Sequence, residues 1–181
     1  TLSIPMTDVD HMKAHIHSIF LKNEVNSYPK FPFLSLTVSG GHTQLVVVND
    51  YNNFKKIGNT LDDAAGEAFD KTSKFLGLGY PGGPIIDNLS KKGNPIFKFS
   101  KPKIKDYDFS FSGLKTSIIY FIKKELKENS KFIEDNINDL CSSIQHSIVE
   151  ILVEKTIKCA IDLNIKQICI VGGVSANSHL R

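Results

Sequence analysis

The sequence predicts an α/β fold, and three observations carry that reading. Two β-rich runs, Phe33 to Val38 and Thr43 to Val48, flank a Gly-Gly turn, which is the pattern of a hairpin. Leu140, Ile144, Ile148, Ile151 and Leu152 recur as an apolar stripe at helical spacing. An Ile-Cys-Ile-Val run then leads into a second Gly-Gly turn at Gly172-Gly173.

Taken in order, residues 8–21 form a helix, with Val9, Met12, Ile16, Ile19 and Phe20 at near-helical spacing and Asp8 as N-cap. Residues 25–32, with Asn26, Pro29 and Pro32, make a connection. The hairpin spans 33–48. Residues 61–76 read as a helix with Asp62 and Asp63 in its first turn, Lys71 and Lys74 late, and Gly77 just beyond. Pro81-Gly-Gly-Pro84 is a rigid loop opening a short helix through Ile85, Ile86 and Leu89. Residues 91–105 are an exposed basic loop holding Lys91, Lys92, Lys98, Lys101, Lys103 and Lys105. Helices follow at 113–128 and 135–163. Ile165 to Val171 is a buried strand, and a last helix begins after Gly173 with Ser175 as N-cap.

Length and hydropathy set bounds. A chain of 181 residues, 41% hydrophobic, suits one domain or lobe with a real core. A net charge of +3 permits a polyanionic partner without demanding one. Cys141, Cys159 and Cys169 lie in apolar stretches with neither metal nor disulfide spacing, so they read as buried thiols of a reducing compartment. No run has membrane-spanning length and no signal peptide is visible. The chain starts at Thr1 and stops just after a strand-turn-helix start, which reads as a fragment of a longer protein.

Five segments carry candidate chemistry. His11 and His15, four apart on a helix, can hold one divalent metal through two imidazoles, though two ligands make no closed site and two surface histidines are the plain alternative. Ser39-Gly-Gly-His42 and Gly172-Gly173 can present backbone N–H groups to a phosphate; an ordinary type I′ hairpin turn and a tight strand-to-helix turn compete with that reading. Asp62, Asp63, Glu67 and Asp70 give a carboxylate-bearing helix, for which helix-dipole compensation explains the first two. Asp87 follows the Pro-Gly-Gly loop and could reach a ribose there, or be a solvated helix residue. The lysine loop either attracts RNA or is a solvated surface, and its Phe97 and Phe99 either pack locally or stack on a base.

Together, His11-Met-Lys-Ala-His15, Ser39-Gly-Gly-His-Thr-Gln-Leu45, Asp62 to Lys71, Tyr80-Pro-Gly-Gly-Pro84, Asp108 to Thr116 and Gly172-Gly-Val-Ser-Ala-Asn177 resemble the tRNA threonylcarbamoyladenosine transferase family. The match runs from His11 to Arg181. The resemblance implies a two-lobed actin-like ATPase (ASKHA, ribonuclease-H-like) architecture, incomplete in this chain. Residues 1–30 would end the first lobe with the His-x-x-x-His helix, and 31–181 would form the second lobe. It implies His11 and His15 as ligands of one divalent metal, iron or zinc. Thr37, Val38, Ser39, Gly40 and Gly41 would line the nucleotide and phosphate part of the site. Asp70, Gly83 and Asp87 would contact adenosine and ribose, and Asn177 would touch the ligand from the final turn. The bound nucleotide would be threonylcarbamoyl-AMP or ATP.

The implied reaction is acyl transfer: the threonylcarbamoyl group passes from threonylcarbamoyl-AMP to the adenosine at position 37 of tRNAs reading codons that start with A. No nucleophilic side chain is needed, because the adenosine amine attacks. The implied partners are tRNA, an inactive paralogue and a small P-loop ATPase if bacterial, KEOPS-type subunits if archaeal or eukaryotic, and a homodimer. The implied setting is cytoplasmic, or a mitochondrial or plastid matrix. In the family, the first phosphate loop precedes His11 and an aspartate metal ligand follows Asn177, so this chain alone is expected to be inactive. A metalloendopeptidase is disfavoured by Met12, which stands where a zinc protease carries its glutamate base. Another actin-like ATPase or sugar kinase would need no histidine pair. A non-catalytic partner module would have lost the metal and nucleotide residues that this chain retains.

Overall fold

Strand β1 (Phe33–Val38) runs inside a four-stranded mixed sheet of order β3-β2-β1-β4. It pairs antiparallel with β2 (Thr43–Val48) and parallel with β4 (Ile168–Val171), while β3 (Phe54–Asn59) pairs antiparallel with β2. The computed structural model describes residues 4–21 and 28–181; part of the predicted connection at 25–32 lies outside them. Among the described residues five α-helices flank the sheet: α1 (His11–His17), α2 (Ala65–Phe75), α3 (Gly82–Ser90), α4 (Ser112–Glu128) and α5 (Phe132–Asp162). The chain is α/β, as predicted.

Every residue of β1 and β2 is buried, because both faces of the sheet are covered. Alternation sorts their side chains. Leu34, Leu36, Val38, Leu45 and Val47 enter the main core with α2 to α5. Phe33, Val46 and Val48 join Ile16 of α1 in a smaller cluster on the opposite face. Phe69, Phe109 and Phe111 are fully buried in the main core, each contributing about 1.5–3 kcal/mol by leaving water.

Several boundaries differ from expectation. Asp10, not Asp8, caps α1, since its Oδ1 accepts from the Met12 and Lys13 amides at 2.9 Å. The helix predicted at 61–76 starts only at Ala65, so Asp62 and Asp63 precede it. β3 has no counterpart in the expectations, because the adjacent exposed Lys55 and Lys56 break the apolar signal on both faces. The strand read as buried is an edge strand in which only Val171 is buried. The predicted last helix is a 3₁₀ turn, Gly173–Ala176, that begins after Gly172 and contains Ser175 rather than being capped by it. The helix at 135–163 extends back to Phe132 across non-helical Asn136. Residues 91–105 carry no helix or strand; Phe97 and Phe99 pack against Phe121, which favours local packing over base stacking. Cys141 and Cys159 are buried free thiols, and Cys169 is half-buried. Burial pushes the Cys141 thiol up to about 12. Among the described residues no helix is long and apolar enough to cross a membrane.

Candidate functional site

A cavity of about 420 Å³ opens at the C-terminal ends of the parallel strands β1 and β4, where Thr37 pairs with Val171. That strand end is where α/β sheets place ligands. The turn after β1 is closed by its own bonds: the Ser39 amide donates to the His42 carbonyl at 2.8 Å, and the His42 amide donates to Ser39 Oγ at 3.1 Å. Neither Gly40 nor Gly41 has positive φ, so the competing type I′ turn is not what forms here. The starts of α2 and α3 and the turn after β4 complete the walls. Gly40, Tyr80, Gly83, Asp87, Gly173 and Asn177 all line the cavity, with the Tyr80 ring 81% exposed at its rim.

The glycines divide by role. A Cβ on Gly66 would lie 2.5 Å from the Ser39 carbonyl oxygen, so glycine is what lets α2 seat its first turn on the β1 turn. Thr43 Oγ1 accepts from the Ala65 amide at 2.9 Å and fixes the same helix end. A Cβ on Gly82 would lie 2.6 Å from the Phe69 carbonyl oxygen, and Gly172 has φ +94° against Val38. These three are structural. By contrast, a Cβ on Gly40, Gly83 or Gly173 would meet nothing within 4 Å. In both Gly82-Gly83 and Gly172-Gly173, then, one glycine makes the fold and its neighbour faces the cavity. Backbone bare of side chains on three sides suits close approach by a ligand.

The polar residues are tied to one another. Asp70 Oδ1 accepts from the Gly82 amide at 2.7 Å and so positions the Pro-Gly-Gly loop. Asp87 Oδ1 accepts from the Ser178 amide at 3.0 Å and from Ser178 Oγ at 2.6 Å, with Lys91 Nζ 3.4 Å from its other oxygen. Burial pushes the Asp87 carboxyl up, but the Ser178 bonds and Lys91 outweigh it and hold it below the usual carboxylate range. Asn177 is buried; its Nδ2 donates to Gln145 Oε1 at 2.7 Å. Gln145, whose Nε2 also donates to Ser90 Oγ, was missed from the sequence, where its only signal was a polar residue inside the apolar stripe of α5.

Asp62 and Asp63 serve α4 instead of a ligand. Asp62 accepts from Ser110 Oγ, from the Phe111 amide at 2.8 Å and from the Ser112 amide at 3.2 Å, satisfying the start of that helix. Asp63 binds Lys115 Nζ at 2.6 Å and Lys71 Nζ at 2.7 Å. Asp63 therefore ties α2 to α4 through Lys71 and Lys115.

The histidine pair lies by the other side of the β1 turn. His11 Nε2 and His15 Nε2 converge at 2.9 Å, the donor arrangement two imidazoles need to share a cation. The His42 ring stands edge-on to His11, centroids 6.0 Å apart. His17 points elsewhere, its Nε2 3.1 Å from the Tyr51 carbonyl oxygen. Among the described residues no three His, Cys, Asp or Glu side chains group to hold a metal. The neighbouring carboxylate of Asp10 is committed to capping rather than turned to the pair as a base for peptide hydrolysis. Of Thr37 to Gly41, only Gly40 lines the cavity. Val38 is in the main core, and alternation puts Thr37 on the α1 face, where its buried Oγ1 has no hydrogen-bond partner.

The sequence profile described as tRNA N6-adenosine threonylcarbamoyltransferase matches residues 1–181. A protein of that description from Riemerella anatipestifer is 57% identical over 182 residues, covering 100% of this chain and 53% of its own length. One from Phocaeicola vulgatus is 54% identical, covering 100% of this chain and 54% of its own length. The chain thus spans about half the length of the curated relatives it matches. Among solved structures, the activator of the 2-hydroxyisocaproyl-CoA dehydratase from Clostridium difficile aligns with a TM-score of 0.47 at 16% identity, over 84% of this chain and 49% of that one.

Proposed function

The chain belongs to the tRNA N6-adenosine threonylcarbamoyltransferase family, and on that footing we propose that it forms the nucleotide-holding part of such an acyltransferase. The substrates are threonylcarbamoyl-AMP and a tRNA whose adenosine 37 reads codons that start with A. The adenosine N6 attacks the carbamoyl carbon, the bond from that carbon to the AMP phosphate oxygen breaks with its electron pair leaving on AMP, and N6 gives up one proton to solvent. Because the attacking group belongs to the substrate, the protein supplies position and charge rather than a nucleophile.

The observation that carries this reading is the cavity with three open glycine faces and a carboxylate, beside a turn that also meets the histidine pair. Gly40 and Gly173 take the phosphate, Gly83 and Asp87 the ribose, and Asn177 the far wall. Tyr80 is placed to cover the base. His11 and His15 would hold one divalent ion, iron or zinc, whose chemistry is to polarise a carbonyl or phosphate oxygen. In the family's two-lobed actin-like architecture, residues 1–30 end one lobe and 31–181 form the other.

The partners proposed with tRNA are an inactive paralogue and a small P-loop ATPase, the bacterial set, with a homodimer as the simplest assembly. The setting proposed is the cytoplasm, where the tRNA is. Mass spectrometry of tRNA nucleosides tests the activity, using the longer protein that carries this chain with its partners, unmodified tRNA, threonine, bicarbonate, ATP and the enzyme making threonylcarbamoyl-AMP. Threonylcarbamoyladenosine that vanishes with His11→Ala/His15→Ala supports the proposal. Bound nucleotide without modified tRNA would move the chain to a generic nucleotide-binding role.

A further inference from the structure

A second pair of imidazoles stands apart from that site. His146 Nδ1, on α5, lies 3.3 Å from His179 Nε2, beyond the turn after β4, with ring centroids 5.5 Å apart. Both residues are exposed. Their approach is built from beneath. Gln145, next to His146, receives the buried Asn177 amide at 2.7 Å, and Asn177 Oδ1 accepts from the His179 amide at 3.1 Å and the Leu180 amide at 3.2 Å. Helix α5 therefore grips the final segment at adjacent positions, inside through Gln145 and outside through His146. The His179 backbone is held before any ligand arrives, which is the preorganisation a binding site needs.

The third member is Glu150, one helical turn on. Its carboxylate lies 3.6 Å from His146 Nε2, the ring nitrogen away from His179, and is itself held by Lys101 Nζ at 2.6 Å. A carboxylate there favours the proton on Nε2 and leaves the Nδ1 lone pair turned toward His179. A closer approach of about half an ångström would make this the carboxylate–histidine hydrogen bond that orients metal ligands elsewhere.

We propose that His146 and His179 form a second divalent metal site, with Glu150 as its positioning residue. Two imidazole nitrogens suit zinc, nickel or copper in preference to calcium or magnesium. Solvent completes the coordination, since both rings are exposed. A bound ion would staple α5 to the segment that carries Asn177 and Ser178 to the cavity.

Titration calorimetry with Zn²⁺ alone, on the His11→Ala/His15→Ala protein, tests this. The expected result is one equivalent bound. Adding His179→Ala, or separately His146→Asn, should abolish it, and adding Glu150→Gln should weaken it about 10-fold. Circular dichroism keeps the test decisive if one variant misfolds, because the other ligand can be removed instead. No uptake by the double variant would mean that the two rings make only an imidazole hydrogen bond. Uptake unchanged by both further variants would place the metal elsewhere. Either result overturns the proposal.

Discussion

The His42 ring stands edge-on to His11, centroids 6.0 Å apart, while Gly40, two residues earlier in the same turn, lines the cavity. One short connection thus borders both candidate chemistries, and two substitutions separate its roles. Gly40→Ala points a methyl into open space, so the melting temperature should hold while affinity for threonylcarbamoyl-AMP falls. Gly66→Ala drives its methyl to 2.5 Å from the Ser39 carbonyl oxygen and should cost about 1–3 kcal/mol of stability. Denaturant unfolding and ligand titration read the two effects independently.

Asp62→Ala should destabilise without touching the cavity. It strips the acceptor from the Ser110 hydroxyl and from the Phe111 and Ser112 amides at the start of α4. Leaving such groups unsatisfied costs about 1–3 kcal/mol. Urea unfolding should show that loss, with ligand affinity unchanged.

Acid should act through Asp63. Burial pushes its carboxyl up, but hydrogen bonds from Lys115 and Lys71 outweigh that and hold it below the usual range. A group depressed in the folded state stabilises fully above its unfolded pKa and loses that contribution as pH falls through the folded value. The Asp63 contribution is therefore present at neutral pH and fades below about pH 4. Thermal melts against pH should show Asp63→Asn with lower stability at neutrality and a shallower fall into acid than the parent.

Gln145→Ala should disturb fold and site together. It leaves the Asn177 amide and the Ser90 hydroxyl without their buried partner, at about 1–3 kcal/mol. Since Asn177 lines the cavity, ligand affinity should fall with stability, unlike the outcome at Asp62.

What the sequence made legible was local. The β1–β2 hairpin is legible from two β-rich runs about a Gly-Gly turn, and α5 from the periodicity of its apolar stripe. β3 was not, because the adjacent Lys55 and Lys56 interrupt both an apolar run and an alternating one. The roles of Asp62 and Asp63 were hidden because their partners lie far along the chain, at Ser110 to Lys115. The glycine pairs were recognised as turns, but which member packs and which faces the cavity depends on tertiary neighbours. Gly82 meets α2 and Gly83 meets nothing, though the two are adjacent.

In the proposed site the cavity and the His11/His15 pair act on one ligand across the Ser39–His42 turn. Calorimetric titration of threonylcarbamoyl-AMP, with and without added Zn²⁺, tests it most directly. Binding should be tighter with metal, the enhancement should be lost in His11→Ala/His15→Ala while the metal-free affinity survives, and both should be lost in Gly40→Val. Metal-independent binding in the parent, or an enhancement that persists without the two histidines, would contradict it.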